Sequence, residues 1–394
     1  MPREAKYLIY SSILPSAAYG MFYTDVAYFL TTVQGLSFNL MGLIVTTMGV
    51  STFAASVPMG IAADKYGRKR ILILSNVIAS VIIAVFALTT NAALLIAAAA
   101  FEGVSEAASY ASVSALLAEK AENAKRNSAF SMFGFAQSTA YGFGAIAILA
   151  TTSMSKFSNK QTHVILYVAL AVLSLASTLI ILKVKESKRG RKSNATLREL
   201  LPRKSKNVLM KYVLTGAIIA LGAGMVVPLM TAWMKAQYGI PDSLSGPILG
   251  ISSIVVGVST LAAPSLARRF GMVNAIVVTE AASTIFMFAT PLSPTFLIAS
   301  VVYTARAFLM NMSSPLAQSM IMGLVPEDER GAASGISAAL WRLPSALSSF
   351  IGAWLIGMGL LAAPFFFAAL LYIVSIALFW YYFRNTRMPE EKVN

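Results

Sequence analysis

Long apolar stretches separated by short polar loops recur along the whole chain. Each stretch is long enough to cross a hydrocarbon core of about 30 Å as a helix. Backbone N–H and C=O groups in lipid must bond within the segment, so each stretch is predicted to be an α-helix. The pattern predicts twelve spans: Tyr7–Thr32, Asn39–Ala63, Ile71–Leu88, Ala92–Ala118, Ser128–Thr151, Val164–Leu182, Tyr212–Ala236, Leu244–Ala267, Met272–Thr290, Thr295–Leu324, Ala332–Gly357 and Ala362–Phe383.

The composition agrees with a chain that has lipid as its solvent. Apolar residues make up 57% of the 394 residues and charged residues 12%, whereas soluble domains carry roughly 25% charged residues. We predict an all-α membrane protein of two pseudo-symmetric six-helix bundles, residues 1–182 and 212–394. The basic segment 183–211 between them is predicted to be a cytoplasmic linker, with a short surface helix at Thr196–Leu201.

The basic residues are distributed unevenly between the two sides of the predicted bundle. Of the 31 Lys and Arg residues, 26 lie at the termini, in the linker and in the loops on the same side. The opposite side carries Lys156, Lys160 and Lys235. Because positive residues are retained in the cytoplasm, both termini and the linker are predicted to be cytoplasmic, in a plasma or inner membrane. The net charge of +15 therefore indicates topology in a lipid bilayer, and no nucleic-acid partner is predicted.

Several classes of chemistry are excluded by what the sequence lacks. Cysteine is absent and His163 is the only histidine, so a zinc site or a Ser-His-Asp triad is not expected. No P-loop or dinucleotide fingerprint is present. We therefore predict a protein that is not an enzyme and needs no cofactor or metal. It is expected to be a monomer, with His163 as an interfacial residue near an outer helix end.

The two halves of the sequence resemble each other at a displacement of 204 residues. Gly60-Ile-Ala-Ala-Asp64-Lys-Tyr-Gly67 falls on Pro264-Ser-Leu-Ala-Arg268-Arg-Phe-Gly271, and Arg126-Asn-Ser-Ala falls on Arg330-Gly-Ala-Ala. Six spans per half place both copies in the same orientation, related by an axis along the membrane normal. The same displacement carries Glu102 onto Arg306, near the bilayer midplane.

The loop after the second span reads Gly60-Ile-Ala-Ala-Asp64-Lys65-Tyr66-Gly67-Arg68-Lys69-Arg70. It matches every defined position of G-x-x-x-D-[RK]-x-G-R-[RK] and resembles the signature loop of the major facilitator superfamily. The resemblance implies a secondary transporter that works by alternating access, with a proton gradient as its driving force. It also implies a cytoplasmic gate formed by Gly60, Asp64, Lys65, Gly67, Arg68 and Lys69.

In that gate, Asp64 would face the start of the eleventh span at Gly331–Gly335, and Arg68 would pair with Glu119 or Glu122. A carboxylate is favoured at a helix N-terminus. Gly60 and Gly67 would permit a close helix approach and a tight turn. The alternative is that the basic residues of this loop serve only as topology signals.

Motifs in the first, fourth and fifth spans indicate which branches of the superfamily the sequence resembles. The fifth span lacks the G-P-x-x-G-G signature of the drug/proton antiporters. The fourth span lacks the arginine that many proton-coupled members carry early in that span. The run Gly103-Val-Ser-Glu106-Ala-Ala-Ser-Tyr110 is similar to the glycine–glutamate segment of proton-coupled facilitators, including spinster-like lipid transporters, and Phe22-Tyr-Thr-Asp25 is similar to their acidic position in the first span.

Charged residues inside spans are costly and mark functional positions. We single out Asp25, Glu102, Glu106, Arg306 and Arg342. Glu102 and Glu106 are one turn apart and share a helix face. Two carboxylates this close repel each other as anions, and proton binding relieves the repulsion. Glu106 is the predicted proton carrier, followed by Asp25 and Glu102; the alternative is that these acids form only structural ion pairs.

The two arginines predict the class of substrate. Arg306 and Arg342 can each hold an anionic group through two hydrogen bonds; the alternative for Arg306 is a lock with Glu102 between the halves. Further predicted substrate contacts are Glu102, Tyr19, Tyr23, Tyr110 and Asn311. The leading function is proton-coupled transport of a small amphipathic or anionic organic solute. The alternatives are polyspecific drug efflux by proton antiport, and a non-transporting sensor or lipid scramblase on the same fold.

Overall fold

The computed structural model describes residues 2–121, 126–154, 156–185, 204–326 and 329–386. The side chains of residues 126–128, 131, 260–264 and 330–340 lie outside this description. The described residues form helices joined by short turns, and no strand occurs among them. The predicted all-α architecture is confirmed.

Helices lie at the positions of all twelve predicted spans. In chain order they are α1 Arg3–Tyr28, α2 Phe38–Tyr66, α3 Arg68–Leu88, α4 Ala92–Lys120, α5 Arg126–Ile146, α6 Asn159–Ile181, α7 Lys206–Gly224, α8 Asp242–Phe270, α9 Met272–Ala289, α10 Phe296–Leu324, α11 Arg330–Gly357 and α12 Ala363–Phe383. By length and composition, ten helical segments of the described chain could cross a membrane. The other two spans are α1 and α11, which carry Asp25 and Arg342.

Some of these helices continue beyond a local irregularity. A π-helical turn, Phe29–Val33, extends α1. Past the end of α7, a 3₁₀ turn at Val227–Leu229 leads into a further helix, Met230–Tyr238, which we call the distal arm of α7. The turn contains Pro228, whose backbone has no N–H to donate to the helix ladder.

Helix boundaries reproduce the internal repeat. The starts of α2 and α8, residues 38 and 242, are 204 apart, and α4 and α10 keep this displacement at both ends. The turns after α2 and α8 share a further feature, because Gly67 and Gly271 have φ of 107° and 76°. A positive φ strains residues that carry a Cβ, so glycine suits both turns.

The chain divides into two compact units, and unit 1 comprises Met1–Lys192 with Pro228–Ser253. Within it, α1 packs on α5 and α6, whereas α2 and α3 pack on α4. Gly20 of α1 lies directly against the backbone carbonyl of Tyr141 on α5. Since a side chain at this glycine would overlap that backbone, the two helices cross in close contact.

Unit 2 comprises Ser193–Val227 with Ile254–Asn394. Within it, α7 packs on α11 and α12, and α9 packs on α10 and α12. Gly224 lies against the Ser345 carbonyl, which is the Gly20–Tyr141 contact displaced by 204 residues. The predicted division of the sequence at 182 and 212 stays a prediction, and most of the linker, including Thr196–Leu201, lies outside the described residues.

Candidate functional site

The acidic pair of α4 is positioned by a close crossing with α2. Gly103 makes this crossing possible, because a Cβ there would overlap the Met48 carbonyl oxygen and lie 2.6 Å from the backbone nitrogen of Thr52. Glu106, one turn along α4, is thereby placed beside the Thr52 side chain. Glu102, on the same face, is fully buried, whereas Glu106 is half-buried.

The Thr52 hydroxyl contacts both the Glu106 carboxyl group and its own helix. Thr52 Oγ1 lies 3.0 Å from Glu106 Oε2 and 2.9 Å from the Met48 carbonyl oxygen. A hydroxyl has one hydrogen and two lone pairs. It can therefore donate to a Glu106 carboxylate, or donate to the Met48 carbonyl and accept from a protonated Glu106. The Tyr23 hydroxyl, 3.5 Å from Oε2, is a further donor.

The surroundings of Glu102 are different. The buried Tyr19 hydroxyl interacts with the Glu102 carboxyl group, and neither carboxyl oxygen has another hydrogen-bond partner among the described residues. Tyr19 interacts electrostatically with both Glu102 and Glu106, and its ring stacks on that of Tyr23 with centroids 5.6 Å apart. Since a buried carboxyl group with so few hydrogen-bond partners is costly, this corner of unit 1 is suited to a further proton or ligand.

Asp25, the second of the three predicted proton carriers, belongs to a separate buried cluster. Its Oδ2 accepts a hydrogen bond from the Tyr167 hydroxyl at 3.0 Å and lies 3.8 Å from His163 Nε2. His163 also lies 2.7 Å from Asp242 Oδ2. The prediction of an interfacial His163 is wrong, because its side chain is 0% exposed and packs against acids.

Arg306 of α10 is buried in unit 2. One terminal nitrogen donates to the Tyr372 hydroxyl, and the guanidinium lies 5.9 Å and 5.5 Å from the ring centroids of Tyr303 and Tyr372. Its Nε has no hydrogen-bond partner among the described residues. Aromatic faces stabilise a cation without neutralising it. The predicted lock with Glu102 joins residues of different units and stays a prediction.

Three further residues, Arg342, Tyr110 and Asn311, were predicted as substrate contacts. Arg342 is half-buried on α11, and Tyr110 is exposed on α4. The Asn311 amide donates to the Ala307 carbonyl of its own helix at 2.8 Å. Their assignment to a substrate site stays a prediction.

The loop between α2 and α3 is held by ion pairs of Arg68. Its Nη2 lies 2.7 Å from Asp64 Oδ1 and its Nη1 lies 3.3 Å from Glu119 Oε2. Of the two predicted partners, Glu119 thus makes the contact, and Glu122 lies outside the described residues. Lys69 Nζ donates to the Leu182 carbonyl at 2.8 Å. The loop therefore ties α2 and α3 to α4 and to the end of α6.

Other positions of this loop differ in how the structure uses them. Lys65 lies over the Tyr66 ring at 5.2 Å. A Cβ at Gly60 would meet no described atom within 4 Å, so the described residues show no close helix approach there. The proposed partner of Asp64 at Gly331–Gly335 lies in the other unit, and that contact stays a prediction.

Comparison with known proteins decides the family. The sequence matches the Major Facilitator Superfamily over residues 8–313 and 213–394. The chain belongs to this superfamily. It is therefore a multi-pass membrane protein and a transporter of the secondary-transporter kind rather than an enzyme. A search of curated proteins by sequence found no match.

Solved facilitator structures share the fold. The nucleoside transporter NupG has a TM-score of 0.79 at 14% identity, covering 96% of this chain and 99% of that one. An auto-inhibited POT family peptide transporter has 0.77 at 12%, covering 98% of both chains. A bacterial homologue of the human lysosomal transporter Spinster, inward-facing and unoccupied, has 0.74 at 12%, covering 96% and 97%. These likenesses confirm the predicted facilitator fold.

The structure of this facilitator also shows one intramembrane acid that the sequence did not single out. Glu280 on α9 is buried and accepts a hydrogen bond from the Ser313 hydroxyl at 2.9 Å. Ser313 Oγ also lies 2.8 Å from the Met310 carbonyl, so this pair repeats the arrangement of Thr52 and Glu106. The signal was present in the sequence, since Glu280 is a lone acid inside an apolar span.

Proposed function

We propose that this facilitator couples the movement of a small amphipathic or anionic organic solute to protons, with Glu106 as the proton carrier. The observation that carries the proposal is the position of the Thr52 hydroxyl between Glu106 and the Met48 carbonyl. Both the charged and the protonated forms of Glu106 have a hydrogen-bond partner there. A group that loads and releases a proton needs such support in both states.

The preference for an anionic solute rests on Arg306. Its guanidinium stays charged at any relevant pH, and it is buried with Nε lacking a hydrogen-bond partner among the described residues. No ion pair of Arg306 occurs among the described residues, although the buried Glu280 interacts with the same Tyr372 side chain, and a buried charge without a directly paired counter-charge is costly. A carboxylate or phosphate on the solute would supply that counter-charge through two parallel hydrogen bonds.

The proton and the solute would both act on the equilibrium between the conformations of the transporter. A proton on Glu106 removes the negative charge of a half-buried side chain, and an anion at Arg306 offsets the positive charge of a buried one. Each ligand favours the conformation in which its site is best satisfied, and alternating access follows from the shift between conformations. The basic loops of the chain support a location in the cell membrane with cytoplasmic termini. We further propose that the protein acts as a monomer.

Efflux of cationic drugs is the second candidate. It is favoured by the buried Glu102 beside the stacked rings of Tyr19 and Tyr23, because aromatic faces and carboxylates both attract organic cations. A thermal-shift screen of the purified protein separates the candidates. Stabilisation by organic acids or other anionic or amphipathic solutes would favour the leading proposal, and stabilisation by cationic drugs would favour the second.

Proton coupling is tested with Glu106→Gln in proteoliposomes. We expect proton-driven uptake to be lost while solute exchange across the membrane stays measurable, because glutamine keeps the shape of the side chain without its titration. Thr52→Val should lower proton-driven uptake, and Thr52→Ser should restore it. Normal proton-driven uptake by Glu106→Gln would reject Glu106 as the carrier, and loss of coupling in Glu280→Gln instead would move the role to α9.

A further inference from the structure

Three side chains that can bind metal ions meet in unit 1. They are Asp25 of α1, His163 of α6 and Asp242, the first residue of α8. Their ligand atoms all lie within 4.8 Å of one another. His163 Nε2 is 2.7 Å from Asp242 Oδ2 and 3.8 Å from Asp25 Oδ2. The three residues are 0 to 2% exposed, so the cluster is shielded from solvent.

The hydrogen bond of His163 to the backbone directs its other ring nitrogen at the acids. His163 Nδ1 lies 2.7 Å from the carbonyl oxygen of Asn159, and because a carbonyl only accepts, Nδ1 carries the hydrogen. In a neutral imidazole, Nε2 then has a lone pair and no hydrogen. At 2.7 Å, the contact between Nε2 and Asp242 Oδ2 is a hydrogen bond, so a proton lies between these atoms in the metal-free cluster. A metal ion would take the place of that proton, with Nε2 and the two carboxylates as its ligands.

Other atoms hold two of the three groups in place. The Asn159 carbonyl fixes the His163 ring, and the Tyr167 hydroxyl donates to Asp25 Oδ2 at 3.0 Å. Metal-binding histidines donate their second ring N–H in this way, and ligand carboxylates accept such hydrogen bonds. Asp25 Oδ1 is buried and has no hydrogen-bond partner among the described residues, which leaves it available to a ligand.

The charges favour a divalent ion over a monovalent one. Two carboxylates and a neutral imidazole carry a charge of −2, and buried charges of this kind are costly when uncompensated. The Phe29 ring stacks on His163 at 5.6 Å and on Tyr167 at 4.9 Å, so an apolar wall lines the cluster. One divalent cation would neutralise the cluster.

We propose that Asp25, His163 and Asp242 bind a divalent transition-metal ion, for which zinc is the best match. Imidazole nitrogen and carboxylate oxygen are common zinc ligands, and three protein ligands with one open position is a familiar zinc arrangement. Calcium and magnesium prefer sites built of oxygen alone. A zinc site was not expected from the sequence, because it contains one histidine and no cysteine. In the structure, however, residues 25, 163 and 242 lie close enough together to act as ligands.

A bound ion would also tie two parts of the chain together. Asp242 belongs to Pro228–Ser253, the segment of the second half that packs in unit 1. The distal arm of α7 already contacts α1 there, since Thr231 Oγ1 donates to the Thr24 carbonyl at 2.7 Å. The ion would add a link from this segment to α1 and α6. Zinc should therefore slow transport, and zinc binding itself does not depend on proton coupling at Glu106.

Zinc titration of the purified, chelator-treated full chain tests the site. The protein is produced without a polyhistidine tag and titrated by calorimetry. We expect one ion per chain with micromolar or tighter affinity. His163→Gln and Asp242→Asn should abolish this binding, and Tyr167→Phe should weaken it by about 10–100-fold. Glu280→Gln removes an equally buried carboxyl of unit 2 and should leave the affinity unchanged.

Each outcome bears on the proposal. Failure of the wild-type chain to bind zinc, or equal binding by His163→Gln, would overturn it. If His163→Gln does not fold, zinc X-ray absorption on the wild-type complex decides instead, and a coordination shell of oxygens without imidazole would reject the site. Slower proteoliposome uptake with zinc in the wild type, absent in Asp242→Asn, would support the tie to Pro228–Ser253, and uptake insensitive to bound zinc would overturn that tie.

Discussion

Replacing Gly103 by alanine tests the geometry of the acidic site without changing any charge. The added Cβ would lie 2.6 Å from the Thr52 nitrogen and 2.8 Å from Ser51 Cβ, and it would overlap the Met48 carbonyl oxygen. Ordinary contacts between such atoms lie at about 3.5–4.0 Å. Most of the neighbouring atoms are backbone and cannot rotate away, so α4 must move from α2 by about 1 Å to reach those distances.

Two costs follow from that displacement. Overpacking of this kind typically costs about 1–3 kcal/mol. The 3.0 Å contact between Thr52 and Glu106 would also lengthen toward about 4 Å, beyond hydrogen-bonding range. A hydrogen bond to a charged group contributes about 1.5–3 kcal/mol. Gly103→Ala should therefore lower both the stability of the protein and the proton-driven uptake that we assign to Glu106.

Thermal unfolding in detergent and uptake in proteoliposomes measure the two effects. Gly134→Ala on α5 is the matched control, because its Cβ would meet no described atom within 4 Å. An alanine in such an open helical position should be neutral or stabilise by about 0.4–1 kcal/mol. If Gly103→Ala unfolds at the same temperature as the control and transports equally well, α2 and α4 do not cross as described.

Two further predictions concern the cationic groups. Arg306→Lys keeps the positive charge but loses the planar guanidinium group that reaches Tyr372. Competition assays should therefore show weaker binding of anionic solutes, with a larger loss in Arg306→Ala. Equal losses of affinity for cationic solutes would contradict the preference for an anion. Arg68→Gln breaks ion pairs whose side chains are 27 to 44% exposed, so unfolding should change by less than about 1 kcal/mol while uptake falls; normal uptake would contradict its role in the gate.

The membrane constrains the fold enough for the sequence to predict most of it. The tenth span was predicted at Thr295–Leu324, and α10 is Phe296–Leu324, because apolar length and the need for internal hydrogen bonds leave few alternatives. The first span was predicted to begin at Tyr7, yet α1 begins at Arg3. Hydropathy marks the part of a helix in lipid and does not show where the helix continues into water.

The site was predictable only where its residues lie close in sequence. The spacing of Glu102 and Glu106 placed them on one face of a helix. Thr52, the hydrogen-bond partner of Glu106, lies on another helix. Nothing in the separation of these two residues along the sequence indicates that they are in contact. The role of Ser105, next to Glu106 in the sequence, is likewise visible only in the structure, where its hydroxyl donates to the Ser75 carbonyl at 2.6 Å and joins α3 to α4.

The two helices that pass between the compact units do so in different ways. The boundary at 227 and 228 falls within the 3₁₀ turn of α7, whereas the boundary at 253 and 254 falls in the unbroken middle of α8. At Pro228 the backbone can bend without giving up a helical hydrogen bond. The chain can therefore change direction at Val227–Leu229 more easily than along Asp242–Phe270, where a sharp bend would break helical hydrogen bonds.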